Sequence, residues 1–196
     1  MKSTKEEQIR DEIITAAIGV FESYGFARVS MQDISKAGKK GRTTLYYYFR
    51  NKTEVFDAAV EKLCLQIFDT CQAVIDPNAS MATNLENFYT KKLQEVKFLT
   101  KRYHLVLDDL RQQPELASST TRVLLEKEGS VLYNMIRWAI EKKEIAELSE
   151  ADSHFLAETI VTAFKSFEQE IILFNRFPNM EAKLSWISQI FCKGLK

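Results

Sequence analysis

The chain has 196 residues, with 27 basic and 27 acidic side chains, 45% hydrophobic residues and 11% aromatics. That mixture can bury a core, which excludes intrinsic disorder for most of the chain, and six glycines with three prolines exclude collagen-like or turn-rich β-sandwich folds. No apolar run approaches the roughly 20 residues that span a bilayer, and Met1-Lys2-Ser3-Thr4-Lys5 leads into mixed charge rather than an apolar signal region, so a soluble, cytoplasmic, helical protein is expected.

Residues 5–24 predict an amphipathic helix: Ile9, Ile13, Ala16, Ala17, Val20, Phe21 and Tyr24 recur at threes and fours. Gly25 follows, where a left-handed cap is expected. Ser30 and Asp33 frame a capping box for a helix of about two turns, Met31 to Ala37, ending near Gly38. Gly38-Lys39-Lys40-Gly41 then connects to a second short helix, Arg42 to Phe49. Asn51-Lys52-Thr53-Glu54 opens a longer helix to about Ile75, which Asp76-Pro77-Asn78 stops. Further helices are predicted near 80–101, 102–112, 115–143, 150–175 and 180–194. They are parted at Gln112-Gln113-Pro114, at a capped restart over Leu148–Asp152, and at Phe177-Pro178-Asn179. Without strand alternation or a solenoid repeat, the fold class is all-α, with about nine helices.

Zero net charge hides an asymmetry. Residues 1–52 hold ten basic and six acidic side chains, and within 30–52 Lys36, Lys39, Lys40, Arg42, Arg50 and Lys52 face only Asp33. A basic segment on an otherwise acidic chain points either to a polyanion partner or to a solvated face. Two short helices joined by a tight glycine-bearing basic turn describe a helix-turn-helix, whose second helix enters the major groove of DNA. Leu45 and Phe49 share one face and can pack onto Ile34, Phe21 and Val20. Arg42, Thr43 and Tyr47 fall on other faces, where an arginine suits a guanine edge and a threonine methyl suits a thymine methyl. Thr44, Tyr46, Tyr48 and Lys52 suit phosphate oxygens, as do the turn residues Lys39 and Lys40.

Three stretches together resemble the DNA-binding domain of the tetracycline-repressor (TetR) family. They are Ile14-x-Ala16-Ala17-x3-Phe21-x3-Gly25-Phe26, Ser30-Met31-x-Asp33-Ile34-Ser35-x-Ala37, and Thr44-Leu45-Tyr46-Tyr47-Tyr48-Phe49-x-Asn51-Lys52. The resemblance covers about the first 60 residues. It implies a homodimeric one-component transcription regulator, usually a repressor, released from palindromic operator DNA by a small-molecule effector. It implies base reading by Arg42, Thr43 and Tyr47 and phosphate contacts by Thr44, Tyr46, Tyr48 and Lys52. The corresponding domains are 1–52 for DNA and 53–196 for ligand binding and dimerisation. One departure is local: where the family commonly carries Gly-Val-Ser in the turn, this chain carries Lys39-Lys40-Gly41. Glycine remains a workable N-cap, a few tenths of a kcal/mol below serine.

The C-terminal stretch is less informative. Leu156, Ile160, Phe164, Phe167, Ile171 and Phe174 form a seam on one helix. Leu184, Ile187 and Phe191 form another, widened by Trp186 and Ile190. The resemblance implies that these two helices pair with their copies in a dimer; an intramolecular core stripe is the alternative. Phe68, Phe88, Tyr89, Tyr103, His104, Asn134, Met135, Arg137 and Trp138 are candidate linings of an effector pocket, each individually also suited to ordinary packing. Cys64, Cys71 and Cys192 make no disulfide framework, and two histidines with no zinc-spaced cluster suggest neither a metal nor another cofactor. Nor is there a glycine-rich phosphate loop, a Gly-x-Ser-x-Gly elbow or a His-Glu-x-x-His, so no enzyme is expected. The competing reading is a helical ligand-binding or scaffold protein with a vestigial helix-turn-helix, which the Lys39-Lys40-Gly41 departure would suit.

Overall fold

The computed structural model describes residues 4–113 and 121–196, the side chains of 121–123 excepted. Among these residues the chain forms nine α-helices and no strand. They are α1 (Lys5–Tyr24), α2 (Met31–Ala37), α3 (Arg42–Tyr48), α4 (Lys52–Gln72), α5 (Met81–Arg102), α6 (His104–Gln112), α7 (Thr121–Glu141), α8 (Glu150–Phe174) and α9 (Met180–Lys193). The predicted elements recur with ends moved by a few residues. The expected break at Pro114 and the start of the 115–143 helix lie outside the described residues.

The chain divides into two compact units. One takes the described residues up to Cys64 and those from Leu99 through α6; the other takes Leu65–Phe98 and Arg122–Lys196. Compact packing therefore runs past residue 52, where the domain boundary was expected. Val55, Phe56, Ala58 and Ala59 of α4, with Tyr103 and Val106, are buried in the same cluster as the apolar faces of α1–α3.

Local chemistry accounts for the N-terminal elements. Thr4 caps α1 by accepting from the Glu7 amide, while Glu7 accepts from the Thr4 amide. Ser30 and Asp33 make the same reciprocal pair at the start of α2, as their spacing predicts. Gly25 ends α1 at φ +75, a region open to glycine, and a Cβ there would come within 2.8 Å of the Asp109 carboxylate. The core beneath is Ile13, Ile14, Ala17, Val20 and Phe21 of α1 against Met31, Ile34, Leu45 and Phe49. Each such fully buried aliphatic or aromatic side chain contributes about 1.5–3 kcal/mol.

In the C-terminal unit, buried Asn84 holds the turn after α4: its amide nitrogen donates to the Asp76 carbonyl and its oxygen accepts from the Asp76 amide. Lys142 donates to the carbonyls of Pro77 and Ala79 in that turn, and the Met81 amide donates to Glu144. Ser149 caps α8 by accepting from the Asp152 amide at 3.1 Å. Among the described residues, no helix is long and apolar enough to cross a membrane.

Candidate nucleic-acid interface

The turn between α2 and α3 is fastened from within. The Ser35 hydroxyl donates to the Lys40 carbonyl at 2.7 Å, and the Lys40 amide donates back to the Ser35 carbonyl at 3.2 Å. The left-handed residue of this turn is Lys39, at φ +50, while Gly38 is right-handed. An L-residue there is uncommon, and the Lys39 amide donating to the Lys36 carbonyl helps to hold it. Lys40 forms an ion pair with Glu12 of α1 at 2.6 Å. Lys39 and Lys40 in place of the glycine and the apolar turn residue, with Gly41 in place of the hydroxyl cap, are thus compatible with a closed turn.

α3 rests on a spine of Leu45, with no exposed surface, and Phe49, both in the cluster that holds Ile34, Phe21 and Val20. Fixing that face inward turns the others out. Arg42, Thr43, Tyr46 and Tyr47 are exposed, Tyr47 to 72%, and Thr44 and Tyr48 are half-buried. The Arg42 guanidinium lies 5.8 Å from the Tyr46 ring centroid. Tyr47 and Tyr48 meet edge-to-face at 5.0 Å, and the Tyr47 hydroxyl donates to Glu6 at 3.4 Å. The three side chains expected to read bases therefore share one open helix, with Lys39 and Lys40 in the turn before it.

Lys52 is placed differently from expectation. Its ammonium does not stand out as a phosphate contact: it donates to the carbonyls of Phe26 and Ala27, at 2.8 and 3.4 Å, and lies 4.2 Å from the Phe26 ring centroid. Partial burial lowers its pKa, against the pull of Asp109. The missed partner in this arrangement is Asp109 of α6, whose carboxylate accepts from the amides of Phe26 and Ala27 at 2.6 and 3.0 Å. Lys52 and Asp109 thus clamp one turn, from its carbonyls and from its amides. Nothing in the spacing of residues 82 and 83 apart announces this.

In the C-terminal unit the structure sorts the predicted dimer residues into two groups. Ile160 and Leu184 are buried in the unit's own core, and Phe164 stacks on Tyr89 with centroids 3.5 Å apart. Ile160 and Leu184 are not available to a partner, since Ile160 lies on the inward stripe of α8 with Ser153, Ala157 and Val161, whereas Phe164 is half-buried. Leu156, Phe167, Ile171, Ile187 and Phe191 are half-buried, and Phe174 is 64% exposed. The open apolar surface also includes Phe155, Phe177, Ile190 and Trp186, the last at 61%.

The nine candidate effector residues are not gathered around one cavity. Tyr103 belongs to the N-terminal core, and His104 is exposed at the start of α6 in that same unit. Asn134 is exposed, Arg137 and Trp138 are half-buried, and Phe68, Phe88, Tyr89 and Met135 are buried in the C-terminal unit. None of them lines either of two open grooves there. One, of about 430 Å³, runs between α7 and α8 past Gly129, Ser130, His154 and Ala157. The other, of about 340 Å³, lies by Phe167, Phe177 and Trp186.

Charged residues inside the unit escaped the sequence reading. Lys92 of α5 lies 2.6 Å from Glu128 of α7 and 2.8 Å from Glu168 of α8, all three deeply buried. A signal existed: Lys92 continues the Leu85–Phe88–Tyr89 stripe, Glu128 precedes Val131, Leu132 and Met135 on theirs, and Glu168 follows Val161 and Phe164. Burial in the same region pushes the Cys71 thiol up to about 12, which makes it a poor nucleophile. Among the described residues no three of His, Cys, Asp and Glu converge as metal ligands.

Residues 13–59 match the sequence profile of "Bacterial regulatory proteins, tetR family". Over 126 residues the chain is 28% identical to the biofilm operon icaADBC HTH-type negative transcriptional regulator IcaR of Staphylococcus epidermidis, covering 64% of this chain and 66% of that protein. Over 63 residues it is 30% identical to the HTH-type transcriptional repressor NicS of Pseudomonas putida, covering 32% of this chain and 30% of that protein. These alignments span less than two thirds of the relatives' own length. The fold is similar to the crystal structure of a TetR-family transcriptional regulator from Pectobacterium atrosepticum. The TM-score is 0.74 at 20% identity, over 100% of this chain and 97% of that one.

Proposed function

Since the chain belongs to the tetR family of bacterial regulatory proteins, we propose that it is a one-component transcriptional repressor. It binds palindromic operator DNA in the cytoplasm as a homodimer, catalyses no reaction, and is released by a small-molecule effector. The observation that carries this reading is α3: a short helix anchored by buried Leu45 and Phe49 and turning Arg42, Thr43 and Tyr47 outward. Arg42 suits a guanine edge bidentately, and Thr43 and Tyr47 suit neighbouring base edges. Lys39, Lys40, Thr44, Tyr46 and Tyr48 suit phosphates and fix register; Lys52 serves by holding the turn after α1.

A two-fold partner matches a two-fold operator, with half-sites one helical turn or a multiple apart. The exposed apolar side chains Phe155 and Phe174 of α8 and Trp186 and Ile190 of α9 supply the dimer face, with Phe167, Ile171, Ile187 and Phe191 at its edge. The effector acts by binding better to a dimer whose two α3 helices no longer match the half-sites, which lowers DNA affinity through linkage. A mobility-shift assay on the DNA upstream of the chain's own gene tests the assignment. Arg42→Ala and Tyr47→Ala are each expected to weaken binding by about 1–3 kcal/mol, with helicity and dimerisation intact. Unchanged affinity in both variants would refute base reading by α3.

A further inference from the structure

The first two turns of α1 carry four carboxylates, Glu6, Glu7, Asp11 and Glu12. Two of them are engaged away from the reading surface. Glu7 accepts from the Thr4 amide, and Asp11 pairs with Lys62 of α4 at 2.5 Å. The other two lie on groups assigned above to DNA. Glu12 Oε2 stands 2.6 Å from the Lys40 ammonium, and Glu6 Oε1 accepts from the Tyr47 hydroxyl at 3.4 Å. The Tyr48 hydroxyl faces the same edge: desolvation first, then the Glu6 charge, raises its pKa, with Lys40 opposing. Before α3 and in its last turn, donors suited to DNA thus already meet carboxylate oxygens of the same chain.

A carboxylate and a phosphate make the same demand on an ammonium, a charge-assisted hydrogen bond. We propose that Glu12, assisted by Glu6, is an intramolecular stand-in for phosphate that duplex DNA must displace, so that α1 restrains the DNA affinity of α3. The inference rests on the DNA-binding reading above. The geometry suits such an exchange. The Lys40 backbone is fixed to Ser35 through both its amide and its carbonyl, so only the side chain has to swing. The Glu12 side chain is 60% exposed, and an ion pair at such a surface breaks at little cost. Once displaced, Glu12 stays near the duplex as a like charge. Both effects act on phosphate contacts, which carry no sequence, so the restraint falls on any duplex.

The test is a mobility-shift titration of the full chain on two duplexes of equal length, the fragment upstream of its own gene and one of mixed sequence. Glu12→Gln is expected to raise affinity for both by about threefold or more, since two such pairs are exchanged per dimer. It also steepens the salt dependence, by up to about 0.9 for each protomer. Adding Glu6→Gln raises affinity again. Asp11→Asn removes the same charge from a carboxylate held by Lys62 and is expected to change affinity by less than about twofold. In a Lys40→Met background Glu12→Gln has a smaller effect, because the exchange is gone and only repulsion is left. Circular-dichroism melts verify that each variant is folded. Unchanged affinity in Glu12→Gln overturns the proposal. So does a rise that is equally large in the Lys40→Met background, is matched by Asp11→Asn, or is confined to the upstream fragment. Retardation of DNA by the wild-type chain with no gain in Glu12→Gln rejects the restraint and leaves the regulator standing. No retardation of either duplex by any variant at about 50 mM salt rejects both.

Discussion

The two units keep their polar chemistry in opposite places. In the N-terminal unit the charged groups stand at the surface over an apolar core, in pairs such as Lys40 with Glu12, Lys62 with Asp11 and Arg102 with Glu22. Among the described residues, the four polar side chains that are fully buried, Asn84, Glu128, Ser153 and Ser188, are all in the C-terminal unit. Exposed ion pairs add roughly 0–1 kcal/mol each, so a surface can change its charges to suit a polyanion at little cost to the fold. A buried ammonium between two carboxylates has no such freedom, because removing one member strands the others.

The largest expected effect breaks the second arrangement. Lys92→Met leaves buried Glu128 and Glu168 without their shared ion-pair partner and is expected to cost about 3–5 kcal/mol at neutral pH. Burial already holds the Glu168 carboxyl above the usual carboxylate range despite Lys92. Without Lys92 the Glu168 carboxyl rises further, so the native state binds more protons than the unfolded one. The variant's stability is therefore greatest in acid, below the usual carboxylate range, and is lost as pH rises through the folded values. Urea unfolding followed against pH checks both sign and size; a variant equally stable at every pH contradicts the charge count.

The matching cut in the N-terminal unit is Leu45→Ala, which opens a cavity in an apolar spine and is expected to cost about 2–5 kcal/mol. That loss is largely independent of pH, since the cluster around Leu45 is apolar. The contrast in pH dependence between the two variants tests the comparison itself. The smallest effect belongs to the surface. Arg102 holds Glu22 through two hydrogen bonds of 2.8 Å and keeps its carboxyl below the usual range. A lowered value means stability that is present above the ordinary carboxylate pKa and is lost as pH falls through the folded one. Arg102→Met should lower the melting temperature slightly at pH 7 and not at all in strong acid.

The sequence was most readable where one periodicity had one consequence. Leu45 and Phe49, four apart on a helix of seven residues and its cap, had one apolar face to bury, and the opposite faces followed. On α8 the same reading misplaced Ile160, because that helix carries apolar side chains both on its inward stripe and on its open face, at Phe155 and Phe174. Periodicity reports that a face is apolar without reporting what covers it. Lys52 illustrates a different limit. Its distance of 25 and 26 residues from its carbonyl partners, and that of Asp109 from the same turn, are products of tertiary packing that no local pattern records.

α3 and the turn before it are the surface proposed to meet the phosphates and base edges of duplex DNA. The most direct measurement is operator affinity as a function of salt concentration. Each phosphate contact lowers log affinity by about 0.9 per decade of salt. A dimer using Lys39, Lys40 and Arg42 on both protomers is therefore expected to show a steep slope, made shallower by Lys39→Ala. A flat dependence, unaltered by that substitution, would contradict DNA binding through this surface.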